Sequence, residues 1–258
     1  MLEITENTIE ILIKNLRSWV MGTSFERVVV GMSGGIDSAL AAALAVEALG
    51  EDNVVAYFLP YKESNPESEK DARLMASHLG IKMETIDITP MAEAYLAANS
   101  FISPLRLGNL LSRIRMTVLF DRSAFHNALV LGTGNKSELL LGYMTWFGDS
   151  ACSVNPLGDL YKTQVWRMAT MMGLPKKLIE KAPSADHSKG QTDEGDLGYS
   201  YRDIDQLLSN MIEQGNSPQH LINDGLDQNF VRSICRRLDK NEYKRYVPKI
   251  LSIGQVAI

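Results

Sequence analysis

The sequence predicts an α/β fold in which a parallel β-sheet carries helices on both faces. Short apolar runs alternate with helical segments through the first half of the chain, and the first run, over residues 28–30, leads through a glycine-rich turn into an alanine-rich helix. Strands that alternate with helices are joined by right-handed crossovers, which make neighbouring strands parallel. Because parallel sheets bind ligands at the carboxyl ends of their strands, we expect the functional site at that edge.

The elements follow from local patterns. Apolar residues at helical spacing predict a covering helix over 4–22, and the run NVVAYFL, closed by a proline, predicts a second buried strand over 53–59. Alternation of apolar and polar residues predicts a third strand over 81–88, and ALVLG predicts a fourth over 128–132. Further helices are expected at 36–49, 67–79, 105–127, 160–173, 204–214, 218–223 and 227–238.

We expect a single domain over residues 1–258, with a helical C-terminal part from about residue 199. The segment 182–198 is polar, rich in turn residues and too long for an ordinary connection. It is either a mobile lid over the site or a disordered surface loop, and its composition fits both equally.

Composition narrows the class of protein. A net charge of -5 argues against broad binding to nucleic acid or to a membrane surface, and so favours small-molecule partners. The two cysteines, Cys152 and Cys235, stand far apart in no metal-binding pattern, which fits a reducing compartment. The N-terminus carries acids where a signal peptide needs bases, and no run reaches about 18 apolar residues, so a cytoplasmic location is expected.

The first turn is a candidate phosphate-binding loop. Its glycines let several N–H groups converge at the positive end of the following helix. It is not a Walker loop, because Ile36 and Asp37 stand where that loop needs lysine and a hydroxyl residue. Asp37 either caps its helix or binds a Mg²⁺ that also contacts phosphate. The loop consists of Gly31, Met32, Ser33, Gly34, Gly35, Ile36, Asp37 and Ser38.

A second glycine-containing turn follows the fourth predicted strand and is expected at the same sheet edge. There Thr133 offers a hydroxyl, and Glu138 is either a second Mg²⁺ ligand or an acid that complements its helix dipole. Asp149 lies in a loop rich in glycine and proline and is either a turn residue or an acid that faces the site. Lys162 lies near the start of a predicted helix, where the helix dipole disfavours a cation. A lysine at this position is therefore better explained by contact with a phosphate than by exposure to solvent.

SGGIDS after a hydrophobic strand resembles the signature of the PP-loop ATP pyrophosphatases. With NLLSRIRM, GTGNKSE, GYMTWFGD, NPLGDLYKTQV, PSAD and GQTDEGDLGYSYRDID in order, nearly the whole chain resembles the ammonia-dependent NAD⁺ synthetases. The resemblance implies a Rossmann-like, three-layer fold of the adenine nucleotide alpha hydrolase type. It also implies a ligase that adenylates the carboxylate of deamido-NAD⁺ with ATP, releases pyrophosphate, and then forms the amide from ammonia with loss of AMP.

The resemblance also implies roles for single residues. The loop from Gly31 to Ser38 would hold ATP together with Thr133, Lys162 and Ser184, and Asp37 and Glu138 would bind Mg²⁺. Deamido-NAD⁺ would be contacted by Arg113, Asp149, Tyr243 and Lys244. The catalytic residues would be Asp37, Lys162 and Asp149. Three positions depart from the family pattern. Ser184 replaces a common threonine, Trp146 a common lysine, and Tyr243 a common histidine.

Family members are homodimers with the dinucleotide site across the interface, which the apolar positions of the 105–125 helix would serve unless they are plain core. The chain shows no glutamine amidase region with a nucleophilic cysteine, so free ammonia is the expected nitrogen donor unless a separate partner chain supplies it. Two rival readings are another PP-loop ligase and a regulatory module that binds ATP without turnover.

Overall fold

A computed structural model describes residues 1–99, 101–183, 192–251 and 253. Its sheet has four parallel strands in the order β3-β2-β1-β4. The strands are β1 (Arg27–Gly31), β2 (Val54–Phe58), β3 (Lys82–Thr85) and β4 (Ala128–Leu131). Strand order reverses between β1 and β4, and such a reversal opens the crevice in which ligands of α/β proteins bind. The loops after β1 and β4 therefore meet beside each other.

The sheet is accompanied by α-helices, which are joined by loops and two short 3-10 helices in the described residues. They are α1 (Glu6–Met21), α2 (Ile36–Leu49), α3 (Pro66–Leu79), α4 (Thr89–Ala97), α5 (Pro104–His126), α6 (Lys136–Leu141), α7 (Lys162–Met171), α8 (Lys176–Ile179), α9 (Asp193–Leu197), α10 (Tyr201–Ile212), α11 (Pro218–Asn223) and α12 (Gln228–Lys240). None of these helices is both long and apolar enough to cross a membrane, within the residues that the structure describes.

The sheet is covered on both faces because side chains alternate along each strand. Val28 and Val30 belong to one core with residues of α1, α2, α3, α7 and α8. Val29, between them, belongs to a second core with residues of α4 and α5. The predicted three-layer α/β architecture is thus confirmed. A third apolar cluster joins α6 to α10, α11 and α12, and so attaches the C-terminal helices to the edge where the site lies.

Local differences from the sequence prediction have physical causes. The third strand ends at Thr85, but the Ile86 and Ile88 N–H groups still donate to the carbonyls of Phe58 and Pro60, so the predicted extended segment continues until the chain turns into α4 at Thr89. Within the predicted lid, Thr192 caps the short helix α9 by accepting a hydrogen bond from the Gly195 N–H. Residues 184–191 of that segment lie outside the described residues, so the lid and the single-domain boundary stay predictions.

Candidate active site

The phosphate loop joins β1 to α2 and is shaped by one glycine. Gly34 has a φ of +78°, and a Cβ there would lie 2.3 Å from the backbone oxygen of Ser68 in α3. Only glycine combines that conformation with so close an approach. The Gly35 N–H donates to the Ser33 hydroxyl at 3.2 Å, and the Ser38 hydroxyl donates to the Gly35 carbonyl at 3.0 Å. Gly35, at the N-cap of α2, makes no side-chain cap bond, so the helix presents its first turn to a ligand.

Asp37 is the centre of the polar cluster. Its Oδ2 forms an ion pair with the Lys162 ammonium, and its Oδ1 accepts a hydrogen bond from the Asn135 amide at 2.9 Å. Asp37 thus contacts the loop after β4 through Asn135 and the start of α7 through Lys162. Sequence analysis missed Asn135, although it lies within the quoted GTGNKSE string.

Lys162 is 2% exposed although it begins α7. Burial by itself lowers the pKa of Lys162, but the charges of Asp37 and Glu138 outweigh it and leave the pKa above its ordinary value. The side chain is therefore an ammonium ion in a site with little water. Lys162 thus faces Asp37 in the phosphate loop and not solvent, and its contact with phosphate stays a prediction.

Two more carboxylates lie beside this ion pair. The Glu138 Oε2 accepts the Asn135 N–H at 3.0 Å, and loss of hydration, reinforced by the charge of Asp37, raises the pKa of Glu138 well above its usual value. Asp193, 4% exposed, comes from α9, and burial raises its pKa although Lys162 opposes the rise. Asp193 was missed, because its segment reads as a polar loop. We call Asp37, Glu138, Asp193 and Lys162 the carboxylate cluster.

Asp149 lines a small cavity together with Glu138, Gly132 and Cys152. Its Oδ1 accepts the Ser112 hydroxyl at 2.7 Å and the Thr145 N–H at 2.8 Å. The first bond ties the loop to α5, and the second makes Asp149 a turn residue as well. Asp149 is therefore a turn residue whose carboxylate stabilises its loop, and its role as an acid that faces the substrate stays a prediction.

The residues expected to bind deamido-NAD⁺ surround this same loop. Arg113 donates from Nε and from one terminal nitrogen to the Trp146 carbonyl, at 3.3 and 3.2 Å. Lys244 donates from Nζ to two loop carbonyls at 2.8 and 2.9 Å. The Tyr243 ring meets the Trp146 ring edge-on at 5.2 Å, so two departures from the family pattern touch each other. Thr133 follows β4 on the same edge, whereas Ser184 lies outside the described residues.

The phosphate loop is also held by an ion-pair group, formed by Lys181, Asp71 and Lys177, that sequence analysis missed. Lys181 donates from Nζ to the Gly34 carbonyl at 3.0 Å and to Asp71 at 2.8 Å. Asp71, on α3, is 1% exposed and pairs with Lys177 as well. No sequence signal identifies this group, because its members come from distant segments of unremarkable composition.

Comparisons with known proteins agree with this geometry. A sequence model of the NAD synthase family matches residues 8–248. The NH(3)-dependent NAD(+) synthetase of Trichlorobacter lovleyi is 49% identical over 236 residues, which cover 92% of this chain and 86% of that relative. The solved NMN synthetase of Francisella tularensis is 32% identical with a TM-score of 0.87, over 97% of this chain and 100% of that one.

The NH3-dependent NAD synthetase of Campylobacter jejuni, solved in complex with nitrate, is 34% identical with a TM-score of 0.82, again over 97% of this chain and 100% of the other. The family resemblance read from the motifs is therefore confirmed by a family match over nearly the whole chain, by relatives of high identity and by the shared fold. This chain belongs to the NAD synthase family.

Proposed function

We propose that this protein is a carbon–nitrogen ligase that makes NAD⁺ from deamido-NAD⁺, ammonia and ATP. The observation that carries the proposal is the meeting of the phosphate loop, the ammonium of Lys162 and the carboxylates of Asp37 and Glu138 at one sheet edge, in a chain of this family. Another PP-loop ligase or a regulatory module is disfavoured, because relatives 44% and 49% identical carry the name NH(3)-dependent NAD(+) synthetase.

In the first step the nicotinate carboxylate attacks the α phosphorus of ATP, and the bond from that phosphorus to the bridging oxygen breaks. Pyrophosphate leaves with the electron pair, and an acyl adenylate remains. Negative charge grows on the leaving group, so fixed N–H donors of the loop and the Lys162 ammonium stabilise it most in the transition state. We assign residues 31–38, Thr133, Lys162 and Ser184 to ATP.

Two residues of the carboxylate cluster, Asp37 and Glu138, are the candidates for holding a divalent cation. Burial, reinforced by the charge of Asp37, raises the pKa of Glu138, as expected of a carboxylate that a cation would stabilise. Among the described residues, no three His, Cys, Asp or Glu side chains converge closely enough to hold a metal ion by themselves. We assign Asp37 and Glu138 to Mg²⁺, whose remaining ligands would be water and phosphate oxygens. When bound, the ion would neutralise phosphate charge. Asp37 and Lys162 hold each other in place through their ion pair.

In the second step ammonia attacks the acyl carbon and AMP leaves. We assign the orientation of ammonium, and the uptake of its proton, to the Asp149 carboxylate, because Asp149 shares a cavity with Glu138. Arg113, Tyr243 and Lys244 are assigned to deamido-NAD⁺, since they surround the same loop as Asp149. The guanidinium of Arg113 suits the paired oxygens of the dinucleotide's phosphates.

We further propose a homodimer in which α5 forms part of the interface. Leu105 and Phe125, at the two ends of α5, are 76% and 71% exposed, and Phe101 just before it is 83% exposed. Phe101 and Leu105 are close together in the chain, so the start of α5 exposes an apolar surface that the second protomer would cover. A cytoplasmic location stays a prediction of the sequence.

The test is amide formation by the purified protein with ATP, Mg²⁺ and ammonium. We expect NAD⁺ and AMP to appear one for one from deamido-NAD⁺, and glutamine in a parallel reaction to give neither. Because one similar structure is named an NMN synthetase, nicotinate mononucleotide serves as the competing acceptor. A higher kcat/KM with the mononucleotide would contradict the assigned substrate, and ATP binding without AMP release would favour the regulatory module.

A matched pair of lysine variants links the reaction to the site. Lys162 and Lys136 each occupy the first position of a helix, but Lys136 pairs with Asp159 and Glu213 and not with Asp37. We expect Lys162→Met to abolish measurable AMP release and Lys136→Met to retain it. Equal losses in the two variants would contradict the role assigned to Lys162.

A further inference from the structure

Asp205 is a fully buried carboxylate on α10 that the reaction as proposed does not use. Its exposed fraction is 0%, and both of its oxygens are occupied. Oδ2 accepts the Thr163 N–H and the Thr163 hydroxyl, each at 2.8 Å. Oδ1 accepts the Ser137 hydroxyl at 2.5 Å, and the Ser137 oxygen in turn accepts the Lys162 N–H at 2.9 Å. One carboxylate thus reaches two neighbouring helices.

These bonds provide acceptors, from α6 and α10, for the first backbone N–H groups of α7. The first N–H groups of a helix have no partner within it and need an acceptor when they are buried. Tyr161, at the N-cap of α7, makes no side-chain cap bond. The Lys162 N–H reaches Asp205 through Ser137, and the Thr163 N–H reaches it directly. A negative charge at this end also suits the helix dipole.

The two residues that bond to Asp205 are each next to a residue of the carboxylate cluster in the sequence. Ser137 directly precedes Glu138, and Thr163 directly follows Lys162. Resting on the function proposed above, we propose that Asp205 is a positioning residue that holds the start of α7 against α6 and thereby places the Lys162 ammonium at the phosphate loop. It is the last residue of the quoted GYSYRDID string, which the assigned ligand contacts leave unexplained.

The size of the expected effect follows from the geometry. A misplacement of about 1 Å in a catalytic group can lower a rate by about 10²-fold. Asp205→Asn keeps the side-chain volume but replaces one acceptor oxygen by an NH₂ group, which cannot accept the hydrogen bonds that Thr163 or Ser137 now donates. We expect the dissociation constant for ATP in the presence of Mg²⁺ to rise about tenfold. We expect the KM for ammonia to stay unchanged.

The matched control is Ser209→Ala. Ser209 lies on the same helix and is equally buried, but its hydroxyl donates to Glu213 within a turn, at 3.0 Å, and not to α6 or α7. We expect this variant to bind ATP as the unmodified protein does. An equal loss of ATP affinity in both variants would show a general effect of α10 packing and would overturn the proposal.

The deciding experiment is a double-mutant cycle on ATP affinity, measured by calorimetry on the full chain. If Asp205 acts through Lys162, then Asp205→Asn has less than about a twofold further effect in the Lys162→Met background. Additive effects, or unchanged ATP affinity in Asp205→Asn alone, would overturn the proposal. Because this readout needs no acceptor, it is distinct from failure of the proposed amidation, which turnover reports.

If Asp205→Asn does not fold, as judged by its melting curve, Thr163→Val takes its place in the cycle. That variant keeps the Thr163 N–H bond and the side-chain volume but removes the hydroxyl that donates to Oδ2. We expect a smaller loss of ATP affinity that again disappears in the Lys162→Met background. A loss that persists there would overturn the proposal.

Discussion

The substitution Gly34→Ala tests the geometry of the phosphate loop at one atom. Two separate effects act at this position. The φ of +78° is unfavourable for any residue with a Cβ, and the new Cβ would lie 2.3 Å from the Ser68 carbonyl oxygen. That carbonyl is backbone at the start of α3, so it yields only if the loop or the helix moves.

The magnitude follows from the two effects. A left-handed conformation costs an alanine about 1–2 kcal/mol relative to glycine. The contact is about 1 Å shorter than ordinary packing allows, and overpacking of this kind adds about 1–3 kcal/mol. Gly173→Ala is the matched control, because Gly173 follows the end of α7 with a φ of +70° and nothing within 4 Å of its Cβ.

Thermal unfolding and ATP titration together separate the two effects. At about 2–4 °C per kcal/mol in a chain of this size, we expect Gly34→Ala to melt about 2–12 °C below Gly173→Ala. Since the clash displaces the loop that holds phosphate, the KM for ATP should rise at least about tenfold in Gly34→Ala alone. If the two variants melt together and bind ATP alike, the close approach of α3 to the loop is wrong.

Three further predictions concern other parts of the site. Asp149→Asn keeps an oxygen to accept the Ser112 and Thr145 bonds but removes the charge, so it should impair amide formation from ammonium far more than pyrophosphate release; equal losses would count against the proton-accepting role. Arg113→Ala should raise the KM for deamido-NAD⁺ about tenfold or more and leave the KM for ATP unchanged, as steady-state titrations would show. In the third, burial favours a higher pKa for Asp71, but Lys177 and Lys181 outweigh it and lower the pKa. Its stabilising contribution is therefore complete above the ordinary aspartate pKa of about 3.9 and is lost as the pH falls through the lowered value. Denaturant unfolding of Asp71→Asn should show a deficit at pH 7 that shrinks in acid, and a deficit independent of pH would refute the pairing.

Much of the fold could be predicted from the sequence because its signals are local. The valines over 28–30 and the small residues that follow them indicate strand, turn and helix within one short stretch, and α2 begins and ends where its alanine-rich run does. Weaker patterns gave less accurate predictions. The exposed edge strand β3 is shorter than the alternating pattern that predicts it, and α9 lies in a segment whose polar composition is typical of a loop.

The sequence identified residues that are expected to bind the substrates, but not the residues that support them. Asp37, Glu138 and Lys162 carry chemistry that a motif displays, and the structure brings them together. Asn135, Lys181 and Asp205 hold other groups in place through hydrogen bonds, and Asp193 adds a buried carboxylate near Lys162. A supporting residue is recognised by what it touches, and residues such as Asp205 and Ser137 are 68 positions apart in the chain.

The sequence by itself determined the α/β class, the loop that can hold phosphate and the family to which the chain belongs, because these depend on residue type and short spacing. Only the tertiary structure decided that β4 lies beside β1, and hence that Glu138 and Lys162 reach Asp37. The same is true of the buried charge state of Lys162, because burial and neighbouring charges, and not the residue's identity, set a pKa. Strand order and burial depend on contacts between distant segments, which no local pattern of residues encodes.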